Sequence, residues 1–213
     1  MNALEFKMWN EAMSRIYDSS NWYDHIYVKL INGKKRLTAI RDICKNGRII
    51  DIGCGAGQLI AMIKSKYPES DCYGLDLSEF ALNNARKSFG SSITWINKNA
   101  EEITGFKKYF DVVICSEVIE HTLNPRKVIQ QILKIAKPDA QIIMSVPNMD
   151  LVNRAKNVFK ALFNFSSDDW HLQDMNMSIF QGLIKNRLLI EKAIPIPHSL
   201  MPLWIVTECS QLG

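Results

Sequence analysis

Three stretches of this chain hold residue types whose spacing could do chemistry. The first is Asp51-Ile52-Gly53-Cys54-Gly55-Ala56-Gly57, which follows the apolar run Gly47-Arg48-Ile49-Ile50. It puts a carboxylate at the end of a buried strand and three glycines at alternate positions after it. Alternating glycines let the backbone turn sharply and pass close to a ligand, as in loops that hold nucleotide-like cofactors. A plain strand-to-helix glycine turn is the other reading. The second stretch, Asp71-Cys72-Tyr73-Gly74-Leu75-Asp76-Leu77-Ser78, reads as another strand ending in Asp76. It lies about 20 residues beyond the glycines, where a doubly wound sheet places the carboxylate that bonds ribose hydroxyls. Asp76 as a helix cap is the alternative. The third, Ser116-Glu117-Val118-Ile119-Glu120-His121, is a titratable cluster emerging from the apolar strand Phe110 to Cys115. If it turns helically, Glu117, Glu120 and His121 share one face. His121 could then accept a proton while Glu117 or Glu120 orients its ring, or the three could bind a divalent cation. A purely structural use is also open, with Glu120 and His121 capping or pairing with a helix that begins near Asn124.

The D-x-G-x-G-x-G spacing departs from the dinucleotide fingerprint G-x-G-x-x-G and resembles motif I of the class I S-adenosylmethionine-dependent methyltransferases. That cofactor carries an ammonium, a sulfonium and a ribose but no phosphate, so an acidic strand end suits it better than an anion cradle. Together with Ser145-Val146-Pro147-Asn148, the segment from Phe110 to His121 resembles the ubiquinone-biosynthesis O-methyltransferase branch, and the likeness runs from about Arg48 to Asn148. It implies an α/β fold: a single doubly wound, Rossmann-like methyltransferase domain whose mostly parallel seven-stranded sheet has an antiparallel edge strand. It also implies S-adenosyl-L-methionine as cofactor, held by Asp51, Gly53, Cys54, Gly55, Gly57, Asp76, Leu77 and Ser116. Asn99-Ala100 stands where the family usually has an Asp-Ala pair bonding the adenine amino group, and the Asn99 side-chain oxygen can still accept that bond. Arg36 stands where the quinone branch places an arginine reaching the cofactor carboxylate, which suits a guanidinium fork. The implied reaction is methyl transfer to an oxygen of a small molecule such as a quinone precursor or sugar, with His121, Glu117 and Glu120 as the catalytic candidates. Proton removal need not dominate, because holding acceptor oxygen, methyl carbon and sulfur in line supplies much of the acceleration.

Two further functional readings stay open. Glu117, Glu120, His121 and the later His171 resemble the set with which small-RNA 2′-O-methyltransferases hold magnesium. A cofactor-binding module without catalysis, working through a partner, is the other; the intact catalytic candidates argue against it. His25 and His198 lack any comparable context. The chain has 213 residues, 47% of them apolar, and a formal net charge of +4. That charge is too modest to argue for nucleic acid by itself. Cysteines 44, 54, 72, 115 and 209 form no C-x-x-C pair and read as buried thiols of a reducing compartment.

The elements that must position these residues alternate as a doubly wound sheet requires. An amphipathic helix over residues 2–18 and a second from about Lys34 to Cys44 form an amino-terminal cap, 1–45, of the same domain, with Trp22 and Tyr23 closing one side of the site. The core spans 46–213. Strands are expected at Asp71–Asp76, Ile93–Asn97, Phe110–Cys115 and Gln141–Val146, and helices from Ser78 to Lys87, Asn124 to Lys137 and Ser178 to Asn186. Lys137-Pro138-Asp139 is expected to turn between helix and strand. Leu188–Ile194 and Leu203–Cys209 pair as the antiparallel edge. The segment from about 150 to 175 reads as a lid with an apolar helical face and basic flanks; packing on the domain is favoured over peripheral membrane contact. With no signal-type start and no apolar run of spanning length, a soluble cytoplasmic protein is expected. The residues do not specify an oligomeric state.

Overall fold

The computed structural model describes residues 34–148, 150–151, 175–196 and 202–212. The readings that rest on residues 2–18, Trp22, Tyr23, His25, most of the 150–175 lid, His171 and His198 lie outside that set. Along the chain come α1 (Lys34–Ile43), β1 (Arg48–Ile52), α2 (Gln58–Lys66), β2 (Asp71–Asp76), α3 (Glu79–Phe89), β3 (Thr94–Asn97), β4 (Phe110–Ser116), a 3-10 turn (Ile119–His121), α4 (Pro125–Ile135), β5 (Ala136–Pro147), α5 (Met177–Ile184), β6 (Leu188–Ile196) and β7 (Trp204–Gln211).

Seven strands form one sheet in the order β3-β2-β1-β4-β5-β7-β6. The pairs from β3 through β5 are parallel, and β7 runs antiparallel to both β5 and β6. The expected antiparallel edge is therefore present as a β6–β7 hairpin, with β7 inserted between β5 and the edge. Strand order reverses between β1 and β4, and open α/β sheets bind ligands outside the carboxyl ends of strands at such a crevice. Asp51 and Ser116 stand at those two carboxyl ends.

Helices cover both faces, so the central strands are apolar throughout rather than alternating. Ile50, Ile52, Val113 and Cys115 pack with Val128, Ile129 and Ile132 of α4 and Phe180 of α5 on one side. Ile49, Val112 and Ile114 pack with Ile40 of α1 and Ile60 and Ile63 of α2 on the other. All five cysteines are free and buried, as expected from their apolar settings.

The helix starts obey local chemistry. Ser78 Oγ accepts from the Ala81 amide at 3.2 Å, and Asn124 Oδ1 from the Lys127 amide at 3.2 Å with Pro125 in the first turn. Each satisfies an amide that the helix itself leaves unpaired. One expectation is corrected. Lys137-Pro138-Asp139 does not turn between α4 and β5, because Ala136 is already extended and pairs with Phe110. The register with β4 then slips, resuming at Val112 opposite Gln141. Lys137 is held in this irregular stretch by Asp111, with Nζ 2.5 Å from Oδ1, and its carbonyl accepts from Gln211 Nε2 at 2.8 Å.

Because α3 carries Asp76 and Leu77 at its entrance, its cap matters to the site. Ser78→Ala should lower the free energy of unfolding by about 1 kcal/mol in urea titration; an unchanged midpoint would show that the cap does not hold this helix start.

Candidate cofactor and active site

At the end of β1 the amides of Gly53 and Cys54 both donate to the Leu75 carbonyl of β2, at 2.7 and 3.0 Å. The loop thereby turns against its neighbouring strand. Gly53, Gly55 and Gly57 have φ of 72°, 54° and 83°, the left-handed region where a Cβ is penalised. Crowding adds to this at two of them. A Cβ on Gly53 would stand 2.3 Å from Val118 Cγ2, and one on Gly57 would stand 2.6 Å from Trp95 Cη2. Gly74, next to the loop on β2, would likewise press on Trp95. Val118 and Trp95 thus wedge the loop from two sides. The sequence reading missed both, and no pattern in them pointed to the site.

Asp76 ties two loops together. Its Oδ2 accepts from the Gly55 amide and its Oδ1 from the Ser78 amide, both at 2.8 Å. The capping alternative is thereby corrected, since Ser78 caps α3 and Asp76 braces the turn before it. Each oxygen keeps a lone pair for a further donor. Asp51 is only 2% exposed and Asp76 8%. Burial pushes the Asp51 carboxyl up to about 8, the Asp76 charge adds to this and the Arg36 charge opposes it. Asp76 is also raised, burial outweighing the amides of Ser78 and Gly55. Below them, Asn97 Nδ2 donates to the carbonyls of Asp76 and Leu77. Asn99 Oδ1 accepts from the Glu101 amide at 2.9 Å, so its side chain closes its own turn, and Ala100 beside it is buried.

The end of β4 holds a second network. Ser116 Oγ lies 2.8 Å from Ser145 Oγ, which donates to Glu117 Oε1 at 2.8 Å. Glu117 Oε2 lies 3.5 Å from Arg36 Nη1. The Arg36 guanidinium sits 5.9 Å above the Trp204 ring, and its Nε is buried without a hydrogen-bond partner. Glu117 takes φ 57°, a backbone strain of the kind concentrated at functional sites. Ser145, a hydroxyl within the buried stretch of β5, joins this network, and its position in an otherwise apolar run could have pointed to it.

The expected helical turn through Glu117, Glu120 and His121 is corrected. The left-handed Glu117 breaks the run, so only Ile119–His121 turns, and it turns as a 3-10 helix. Glu120 is fully buried with neither oxygen hydrogen-bonded. Burial, and then the Glu117 charge, push its carboxyl well above the usual range. His121 is half-buried at the end of the turn. Neither residue caps α4, whose cap is Asn124. Among the described residues no three His, Cys, Asp or Glu side chains stand where they could hold a metal ion.

The donor set fits a zwitterionic nucleoside. Two buried carboxylates face a loop whose backbone can be approached closely, and a buried guanidinium N–H lacks an acceptor. A hollow of about 450 Å³ elsewhere, lined by Gly47, Arg48, Ser70, Asp71, Asp111 and Lys137, lies at the amino ends of the strands. Four of its charged side chains pair off, Lys137 with Asp111 and Arg48 with Asp71. Among the described residues no helix is long and apolar enough to cross a membrane.

A protein-family profile described as "Methyltransferase domain" matches residues 23–183. A ubiquinone biosynthesis O-methyltransferase from Shewanella sp. (strain ANA-3) is 30% identical over 118 residues, 54% of this chain and 49% of the relative. The chain thus spans about half the length of the curated relatives it matches. Among solved structures, the N-methyltransferase NodS from Bradyrhizobium japonicum WM9, in complex with S-adenosyl-L-homocysteine, superposes with a TM-score of 0.71 at 12% identity, covering 96% of this chain and 98% of that one. An S-adenosylmethionine-dependent methyltransferase from Clostridium acetobutylicum ATCC 824 gives 0.67 at 15% identity, covering 91% and 99%. At these identities the two structures establish the shared fold.

Asp51 gives a signed test of this electrostatic description. A carboxyl whose folded pKa stands above its unfolded value of about 4 loses stability as pH rises from there to its folded pKa. For Asp51 that window closes at about 8. Asp51→Asn should therefore stabilise the ligand-free protein against urea by at least about 1 kcal/mol more at pH 8.5 than at pH 5. An equal effect at both pH values would contradict the burial of an uncompensated acid there.

Proposed function

This chain belongs to the methyltransferase-domain family, and from that premise we propose that it transfers a methyl group from S-adenosylmethionine to an oxygen of a small-molecule acceptor. The observation that carries the reading is the pair of buried carboxyls, Asp51 and Asp76, at the ends of adjacent strands around a left-handed glycine loop. Such a site disfavours phosphate and favours a cationic nucleoside with free hydroxyls. Bound there, the cofactor supplies an electrophilic methyl on a positively charged sulfur.

In this proposal Gly53, Cys54, Gly55 and Gly57 present backbone to the cofactor. Asp76 offers its remaining lone pairs to ribose hydroxyls while holding the Gly55 and Ser78 amides. Leu77 and the Asn99-Ala100 pair flank the base, with Asn99 accepting through the lone pair that Glu101 leaves free. Arg36 takes the carboxylate, and Asp51 faces the positive end. Ser116 lines the strand end through its bond to Ser145. Glu117 is engaged by Ser145 and Arg36 and so acts as a positioning residue for the guanidinium. His121 is the general base for the acceptor hydroxyl, and the buried Glu120 supports the turn that carries it. Nothing among the described residues supports the magnesium reading, since they offer no trio of ligands; His171, its fourth residue, lies outside them. The name of the Shewanella relative supports an oxygen acceptor; the NodS structure shares the fold with a protein named for nitrogen.

The test is transfer of labelled methyl from S-adenosylmethionine to phenolic and catecholic metabolites, with RNA as a parallel acceptor and with chelator present. Label should enter the small-molecule fraction, survive chelation and stay out of RNA. His121→Ala should lower kcat by about 10²-fold with cofactor affinity unchanged. Tight cofactor binding with no transfer to any acceptor would overturn the catalytic reading.

A further inference from the structure

Asp51 and Asp76 are alike in burial and unlike in company. Asp76 has a backbone amide on each oxygen. Asp51, 2% exposed, is reached by no hydrogen bond among the described residues. Among the described residues, the titratable and charged groups coupled to it are Asp76 of β2, Arg36 of α1, Cys54 of the glycine loop, Cys115 of β4 and Cys44 after α1. The three thiols are uncharged, because burial pushes Cys44 up to about 12 and raises Cys54 and Cys115 well above the ordinary range. The one cation in this set, Arg36, is shared with Glu117 at 3.5 Å. A buried acid with no amide donor, a like charge beside it and a cation engaged elsewhere neutralises itself by taking a proton.

We propose that Asp51 distinguishes cofactor from product by charge: its carboxyl is protonated in the ligand-free protein, loses the proton when the sulfonium nucleoside enters, and keeps it when the thioether product is bound. The inference rests on the S-adenosylmethionine reading above. Cofactor and product share adenosine, an ammonium and a carboxylate, and differ by the methyl group and the one positive charge it leaves on sulfur. In a site this dry, an added ligand cation is compensated locally rather than by solvent, and of the two acids at the ends of β1 and β2 Asp51, which lacks amide donors, is the one with a proton to give. Asp76 is less suited to that exchange, since its two amide donors favour the charged form. The same device weakens the hold on cofactor, relative to product, as pH falls.

The experiment is calorimetry on the full chain with S-adenosylmethionine and with S-adenosylhomocysteine, in phosphate and imidazole buffers at about pH 6.5, where the amino groups of both compounds stay largely protonated. The difference in apparent enthalpy between buffers counts protons. Cofactor binding should release about one proton more than product binding, and cofactor affinity should rise up to about tenfold per pH unit from pH 5.5 to 7 while product affinity stays flat. Asp51→Asn should abolish the proton difference and the slope. Equal proton counts and parallel pH profiles in the unsubstituted chain would overturn the inference while leaving the cofactor reading intact. Binding of neither compound would overturn both.

Discussion

The structure depends on keeping two acidic side chains dry at the carboxyl ends of β1 and β2. A buried carboxyl without compensation is unfavourable, and the fold tolerates the pair by unequal means. Asp76 is made a structural brace: its two oxygens gather the Gly55 and Ser78 amides, so the glycine loop and the start of α3 are fixed by the same group that faces the ligand crevice. Asp51 receives no such compensation and is accommodated by its raised pKa. The surrounding core, with Ile49, Ile50, Ile52, Val113 and Ile114 all fully buried, provides the apolar stabilisation that offsets this local cost.

A second constraint follows from where the sheet reverses. The Gly53 backbone and the Val118 side chain come into such close contact that the glycine loop after β1 and the turn after β4 are packed as one unit. A substitution in either would displace the other. The left-handed Glu117 makes this packing fit, and its carboxylate reaches both Ser145 and Arg36. In this way α1, β4 and β5 converge on a guanidinium whose Nε still lacks an acceptor.

Much of the architecture was legible in the residues because local signals agreed with one another. The apolar runs ending in Asp51 and Asp76 became parallel strands, Ser78 and Pro125 marked helix starts, and the last two apolar runs paired antiparallel. What the residues did not disclose involves contacts distant in the chain. Nothing local says that Lys137 will find Asp111 and Gln211, so the expected turn became an irregular part of β5. Nothing local says that Glu117 will adopt a positive φ, and that single dihedral keeps it out of the turn that carries Glu120 and His121. Trp95 and Val118 are ordinary core types by sequence, and only packing against glycines 53, 57 and 74 makes them part of the site.

The central claim, that the crevice at the carboxyl ends of β1, β2 and β4 receives a cationic sulfur nucleoside, is tested most directly by a crystal structure of the chain with S-adenosylhomocysteine. Ribose hydroxyls are expected on Asp76, adenine beside Ala100 and the amino-acid end between Arg36 and Asp51, with the loop backbone unmoved. Density at the opposite end of the sheet, in the hollow lined by Arg48, Asp111 and Lys137, with the Asp76 crevice empty, would contradict it.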